Sequence, residues 1–195
     1  MNALFALTFC GILALSFSAS VSNLQCRNIA GKSDLDVKKY FNGRWYLTKL
    51  EKSDGPSDVC QESKSDVKDG IVSHKILSYY QGRDPEFGYI DCKTNVKEIS
   101  DGKAVLNCNL KLKSEVSTFT LEGTVVETDY ETFAIFYACG KDGDKVTGDN
   151  VLLLQRNKDI EETNPKIKET LKKIGLNLDD FTPRKPGFCK VDPDF

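Results

Sequence analysis

The sequence predicts an all-β fold, an eight-stranded up-and-down antiparallel barrel with one C-terminal α-helix packed outside it. Three observations predict it. Short segments rich in Val, Ile, Thr, Tyr and Phe begin after Asn42-Gly43, and clusters of Gly, Asp, Ser and Asn separate them at roughly ten-residue intervals. Eight such segments follow one another with no helical pattern between them, which favours sequential hairpins that close on themselves and remove their edges. At 195 residues, with 39% hydrophobic and 29% charged residues, the chain is the size of one domain with its own core.

The elements follow in chain order. From Met1 to Phe17 there is no charge, and an almost continuous apolar run ends in Ser18, Ala19 and Ser20. That is the apolar region and small-residue cleavage zone of a secretory signal peptide. It is shorter than the roughly twenty apolar residues that a membrane span needs. The expected organisation is a signal peptide at 1–20, cleaved between Ser18 and Gln25, and one secreted domain at 21–195 that is not inserted in a membrane. No Asn-x-Ser/Thr sequon occurs. Ser33 caps a short turn over 34–40, with Asp36 at the capping-box position. Strands are expected at 44–50, 60–67, 71–80, 87–96, 104–112, 116–126, 132–139 and 151–155. Asn164 then caps a helix whose first residue is Pro165 and whose apolar face is Ile167, Leu171 and Ile174, with Gly175 as its stop. So narrow a stripe suits a helix lying on a barrel with its lysines in water.

Charge and rare residues exclude several functions. Lys and Arg total 27 against 29 Asp and Glu, so no basic excess exists to release counterions from a polyphosphate, and nucleic acid is not an expected partner. A single histidine, His74, leaves no histidine pair for zinc and no His-centred relay. The chain therefore reads as a binder, not an enzyme, with no catalytic residue and no cofactor. Of seven cysteines, Cys10 leaves with the signal peptide; Cys26, Cys60, Cys92, Cys108, Cys139 and Cys189 remain, an even set suited to three disulfides in an oxidising compartment. Cys92 and Cys108 flank the turn-like Ser100-Asp101-Gly102-Lys103 and could face each other across a hairpin. Spacing leaves the other four open.

Gly43-Arg44-Trp45 after a helical turn resembles the G-x-W signature of lipocalins, Thr128-Asp129-Tyr130 resembles their T-D-Y turn, and Arg156 follows the last strand where lipocalins keep an arginine. The resemblance implies structural roles: Trp45 plugs the closed end, Arg156 lies over its ring as a cation–π partner, and Thr128 and Asp129 shape a turn. Lys39-Tyr40-Phe41-Asn42-Gly43, Arg156-Asn157-Lys158-Asp159 and the far C-terminal Cys189 narrow it to the salivary lipocalins of blood-feeding triatomine bugs. That group includes haem-bearing nitrophorins, biogenic-amine-binding proteins and nucleotide-binding inhibitors of platelet aggregation. It implies disulfides Cys26–Cys139 and Cys60–Cys189, which leaves Cys92–Cys108 as the third. The position matching the haem-ligating histidine is Tyr79, which disfavours a haem and nitric oxide carrier. His74, five residues earlier, should point to the opposite face, outward and partly exposed.

The Tyr79 match also makes Ser73, Lys75, Leu77 and Tyr79 the inner side of the third strand. If Cys139 points outward to reach Cys26, Ala134 and Phe136 point inward. On the sixth strand two signals disagree: counting back from Cys139 turns Thr120, Glu122 and Thr124 inward, whereas hydrophobic alternation buries Phe119, Leu121 and Val125. The first register is the working expectation. An inward Glu122 is costly unless paired. It would anchor a biogenic amine between Tyr79, Tyr89 and Phe136. An adenine nucleotide such as ADP would instead use Lys75, Lys49 or Arg83 for its phosphates, and a buried Lys75–Glu122 pair would need no ligand. The loop over 51–58 would lie at the barrel mouth. The functional expectation is a monomeric, secreted salivary lipocalin that sequesters ADP or a biogenic amine and so inhibits platelet aggregation and vasoconstriction. A surface inhibitor of a clotting protease is the alternative, and a lipid mediator is the fallback if neither ligand is bound.

Overall fold

The computed structural model describes residues 24–113, 115–159, 164–185 and 187–195. The signal peptide expected at 1–20 lies outside them. Eight antiparallel strands run in sequence: β1 Gly43–Leu50, β2 Gln61–Lys68, β3 Ile71–Tyr79, β4 Phe87–Asn95, β5 Lys103–Leu112, β6 Glu115–Thr128, β7 Phe133–Asp142 and β8 Lys145–Gln155. β1 bonds to β2 on one side and to β8 on the other, which closes the barrel, and a two-residue strand β9, Thr182–Pro183, adds outside on β1.

One strand is longer than the sequence suggests. β8 starts at Lys145, not at Val151, because Gly148, Asp149 and Asn150 are held in the ladder despite being turn formers. Asp149 accepts from Arg27 Nε at 2.6 Å and Lys52 Nζ at 2.7 Å, and the Asn150 amide bonds both the N–H and the C=O of Lys52.

The first helix, α1, is only Val37–Tyr40. Asp36 is itself the N-cap, accepting from Lys39 N at 3.0 Å, so Ser33 does not cap it. The second, α2, spans Pro165–Lys173, with Asn164 accepting from Lys166 N and Gly175 in the left-handed region at φ +79°. Its Ile167 and Leu171 are buried on the outer face of β7 and β8 against Phe133, Ile135, Tyr137, Val151 and Leu153. Each such side chain contributes about 1.5–3 kcal/mol. β7 is thus covered on both faces, which is why its sequence is almost unbroken apolar residues.

The closed end is one interlocked unit. Trp45 is enclosed and its Nε1 donates to the Tyr40 carbonyl at 3.0 Å. The Arg156 guanidinium stands 3.6 Å above the Trp45 ring and donates to the carbonyls of Tyr130, Asn42 and Arg44. The β6–β7 turn is fixed by Thr128 Oγ1, which donates to Phe133 O and accepts from Tyr130 N, and by Asp129, which accepts from the N–H groups of Glu131, Thr132 and Phe133.

Three disulfides join Cys26–Cys139, Cys60–Cys189 and Cys92–Cys108. The first two close loops of 113 and 129 residues. Each restrains the unfolded chain by about 5 kcal/mol in the chain-entropy account. They fasten both ends of the domain to the outside of the barrel.

Replacing Arg156 by Met removes the donor to four carbonyls, those of Lys39, Asn42, Arg44 and Tyr130, and uncovers Trp45, so it should cost about 2–4 kcal/mol. Urea unfolding followed by fluorescence of Trp45, the single tryptophan, measures this directly. An unchanged midpoint would remove Arg156 from that role.

Candidate ligand-binding site

β1 leaves the closed end, so the opposite rim is formed by the β1–β2 connection, the β3–β4 connection and the tight turns after β5 and β7. Strand alternation and the observed pairing register decide which side chains face inward. On β3 they are Val72, His74, Ile76 and Ser78; on β4, across the ladder, Gly88, Ile90, Cys92 and Thr94. β5 and β6 contribute Leu106, Cys108, Leu110, Phe119, Leu121, Gly123 and Val125. β7 and β8 contribute Ala134, Phe136, Ala138, Asn150, Leu152 and Leu154.

Exposure along this surface is graded. Near the plug, Val72 and Ala134 are 0% exposed and Trp45 and Leu47 1%. One layer up, His74 is 9% and Leu121 and Phe136 are 8% exposed. Above them Ile76, Ile90, Phe119, Ala138 and Leu152 are only half-buried. Inward side chains can be exposed only to the interior, so the barrel is a cup with its floor at His74 and Phe136. Gly123 is required at that floor, since a Cβ there would fall 2.7 Å from Phe136 Cζ.

Among the expected ligand residues, Phe136 lines this cup, stacked at 6.5 Å on Tyr40. The other five face outward. Glu122 lies opposite Cys139 on the outer surface and pairs with Lys141. The sixth strand therefore follows hydrophobic alternation, with Leu121 and Val125 inside. The parity count fails because a bulge between Val125 and Glu127 shifts the β6–β7 register by one residue. The assignment of β3 is reversed as well. Lys75 is exposed, opposite Lys64 and Asp91, so no Lys75–Glu122 pair forms. Leu77 and Tyr79 are buried from outside: Lys190 of the C-terminal tail lies 5.5 Å over the Tyr79 ring, and Tyr89 donates to Asp192 of the same tail. Lys49 belongs to the outer register with Leu153 and Pro183.

His74, expected outside, is the residue that the Tyr79 match concealed. The alternation of Val72 and Ile76 with Ser73 and Lys75 already marked its face as the apolar one. Its Nδ1 is 2.6 Å from Ser65 Oγ, and its ring meets Phe41 edge-on at 5.9 Å. Burial lowers the imidazole to about 4, so it is neutral at physiological pH. Between the Trp45 layer and the Ser78–Gly88 layer, no inward register position among the described residues carries Asp, Glu, Lys or Arg.

Charge begins at the rim. Tyr80 folds inward beside Gly88, whose Cβ would meet its ring at 3.2 Å, and burial pushes its phenol up. Arg83 stands 5.5 Å over that ring, and Asp58 raises the same phenol from the neighbouring loop. The β1–β2 connection is tethered by Asn150 and Asp149 at Lys52, and Asp58 accepts from Asp54 N and Gly55 N within it.

The family model described as Nitrophorin matches residues 26–194. The chain belongs to the nitrophorin family. Triafestin-2 of Triatoma infestans is 29% identical over 194 residues, covering 95% of this chain and 91% of that protein. Among solved structures, the tryptamine complex of the amine binding protein of Rhodnius prolixus has a TM-score of 0.74 at 19% identity, over 87% of this chain and 91% of its own. The leukotriene C4 complex of LTBP1 has a TM-score of 0.54 at 24% identity, over 75% and 84%. These likenesses establish the lipocalin barrel. A haem held as in the haem-bearing members does not fit these residues. Tyr79 faces outward beneath Lys190, and the inward positions at that strand end are Ser78 and Gly88. His74 sits at the floor between Ser65 and Cys92, both buried.

Neutral burial of His74 makes stability depend on pH with a defined sign. An unfolded histidine binds a proton below about 6.5 and the folded one not until about 4, so the unfolded state holds more protons in that window. Stability from this group is present above pH 6.5 and lost as pH falls toward 4. Between pH 7 and 4.5, wild type should lose about 2–3 kcal/mol more than His74→Phe in urea unfolding. Parallel losses in the two proteins would show that the folded imidazole takes up its proton at the same pH as the unfolded one.

Proposed function

We propose that this chain is a secreted, monomeric scavenger of a small and mostly apolar mediator, which it holds in the barrel without turnover. The observation that carries this reading is the cup itself: apolar walls with no carboxylate or cation at inward positions below the Ser78–Gly88 layer among the described residues. An ionised group carried into such a cup loses its hydration without gaining a counter-charge. A nucleotide diphosphate or an ammonium placed at the floor is therefore disfavoured. A fatty-acid-derived mediator fits better. Its hydrocarbon would contact Ile76, Ile90, Phe119 and Leu152, and its carboxylate would stay at the rim beside Arg83. The leukotriene C4 of the LTBP1 complex is the same class of ligand in a barrel of similar fold. The likeness to salivary lipocalins supports a role against host haemostasis, exerted by lowering the free concentration of a platelet agonist or vasoconstrictor.

A biogenic amine is the second reading, favoured by the rim position of Asp58 and by the tryptamine complex of the amine binding protein. Its ring would enter the cup while its ammonium remained outside.

Titration calorimetry of the mature protein against leukotriene C4, serotonin and ADP separates these readings. Saturable one-to-one heat is expected with the lipid, and Ile90→Asp should weaken it at least tenfold by placing a carboxylate in the wall. Tighter binding of ADP than of the lipid would overturn the apolar reading. Serotonin binding that disappears in Asp58→Asn would replace it with the amine reading.

A further inference from the structure

His74 has one nitrogen occupied and one free. Nδ1 is engaged with Ser65 Oγ at 2.6 Å. Nε2 makes no hydrogen bond with a described residue, yet among the described residues no fully enclosed side-chain nitrogen or oxygen lacks a partner. Nε2 must therefore open onto accessible space, and for an inward residue that space is the cup. Val72 and Phe136 belong to the apolar cluster of the plug and Leu121 to the cluster around Cys92 and Cys108, and that disulfide lies across the ladder from the ring. A polar nitrogen held in place by a second hydrogen bond, at the deepest accessible point of an apolar cavity, is how binding sites fix the orientation of a ligand.

We propose that His74 Nε2 anchors the barrel ligand by hydrogen-bonding a hydroxyl at its leading end, which makes the preferred ligand an apolar molecule with a deeply buried hydroxyl group. This rests on the carrier reading above. The ligand chemistry follows from the two tautomers that the Ser65 contact allows. If Ser65 Oγ–H donates to Nδ1, Nε2 carries the proton and donates to the ligand. If Nδ1–H donates to Ser65, Nε2 accepts. A hydroxyl serves both, because it donates and accepts. An ether, a carbonyl or an amide N–H serves one. Ligands lacking the group leave Nε2 dry and unpaired, which is a stronger basis for rejection than a missing apolar contact.

Naphthalene and 2-naphthol are matched probes that differ by one hydroxyl. Their affinities are measured by fluorescence titration for wild type and for His74→Phe, a ring of similar shape that keeps the contact with Phe41. The ratio of 2-naphthol to naphthalene affinity should fall about tenfold in the variant. Because His74 is the single histidine of the chain, its imidazole nitrogen resonances can be followed without assignment. In wild type the Nε2 signal should move with 2-naphthol and stay with naphthalene. An unchanged affinity ratio, or an Nε2 signal indifferent to 2-naphthol, would overturn the anchor while leaving the carrier standing. If His74→Phe does not fold, the wild-type resonances alone decide. Neither probe binding would overturn carrier and anchor together.

Discussion

Closure of the sheet through β1 is the constraint on which the rest of the structure depends. Once β1 bonds to both β2 and β8, every strand position belongs either to the interior or to the outside. The interior must be filled from one end, and Trp45 with Tyr40, Phe41 and the overlying Arg156 fills it. Filling stops near His74 and Phe136. The space above is a consequence of eight-strand geometry and of side chains no larger than Ile, Leu or Phe at the upper positions.

The outside is organised by a different need. β7 and β8 present apolar side chains on both faces, so the outer face requires a cover of its own, and α2 with Leu178 and Phe181 supplies it. On the opposite side the C-terminal tail lies over Tyr79 and holds Tyr89, tied down by Cys60–Cys189 and by Arg184 on the carbonyls of Leu47, Val59 and Gln61. The two long-range disulfides serve these covers and leave the cup free of crossing chain. Charged residues gather outside as well: Arg27 bridges Glu51 and Asp149, and Glu122 meets Lys141.

A single irregularity sets the chemistry of the cup. Near the β6–β7 turn Thr128 pairs with Ala134 and Glu127 with Ile135; above the bulge Val125 pairs with Phe136 and Glu122 with Cys139. Continued without the bulge, the register would set Glu122 opposite Gly140 and turn its carboxylate inward. The extra residue moves Glu122 out and Leu121 in. One residue off the ladder is thus the difference between an acidic pocket and a neutral one, because side chains alternate with a period of two.

The sequence by itself determined the elements and the closed end. Hydrophobic periodicity and turn residues are local, so the strands, the Asn164-capped helix and the Trp45–Arg156 plug were legible at nearly their observed bounds. The extra length of β8 was not legible, since Asp149 and Asn150 are held by Arg27 and Lys52 from distant segments. The lining was legible only where a face was fixed independently, as for Phe136 through the outward Cys139. Lys75, Leu77 and Tyr79 lie outside, as the alternation of Val72 and Ile76 requires, and the tail residue over the Tyr79 ring, Lys190, is more than a hundred positions away. Tertiary structure alone decided the register across the β6–β7 bulge, whereas the inward place of His74 is already marked by the alternation of Val72 and Ile76 with Ser73 and Lys75. Strand parity is a local property, but the face it selects is set by long-range pairing.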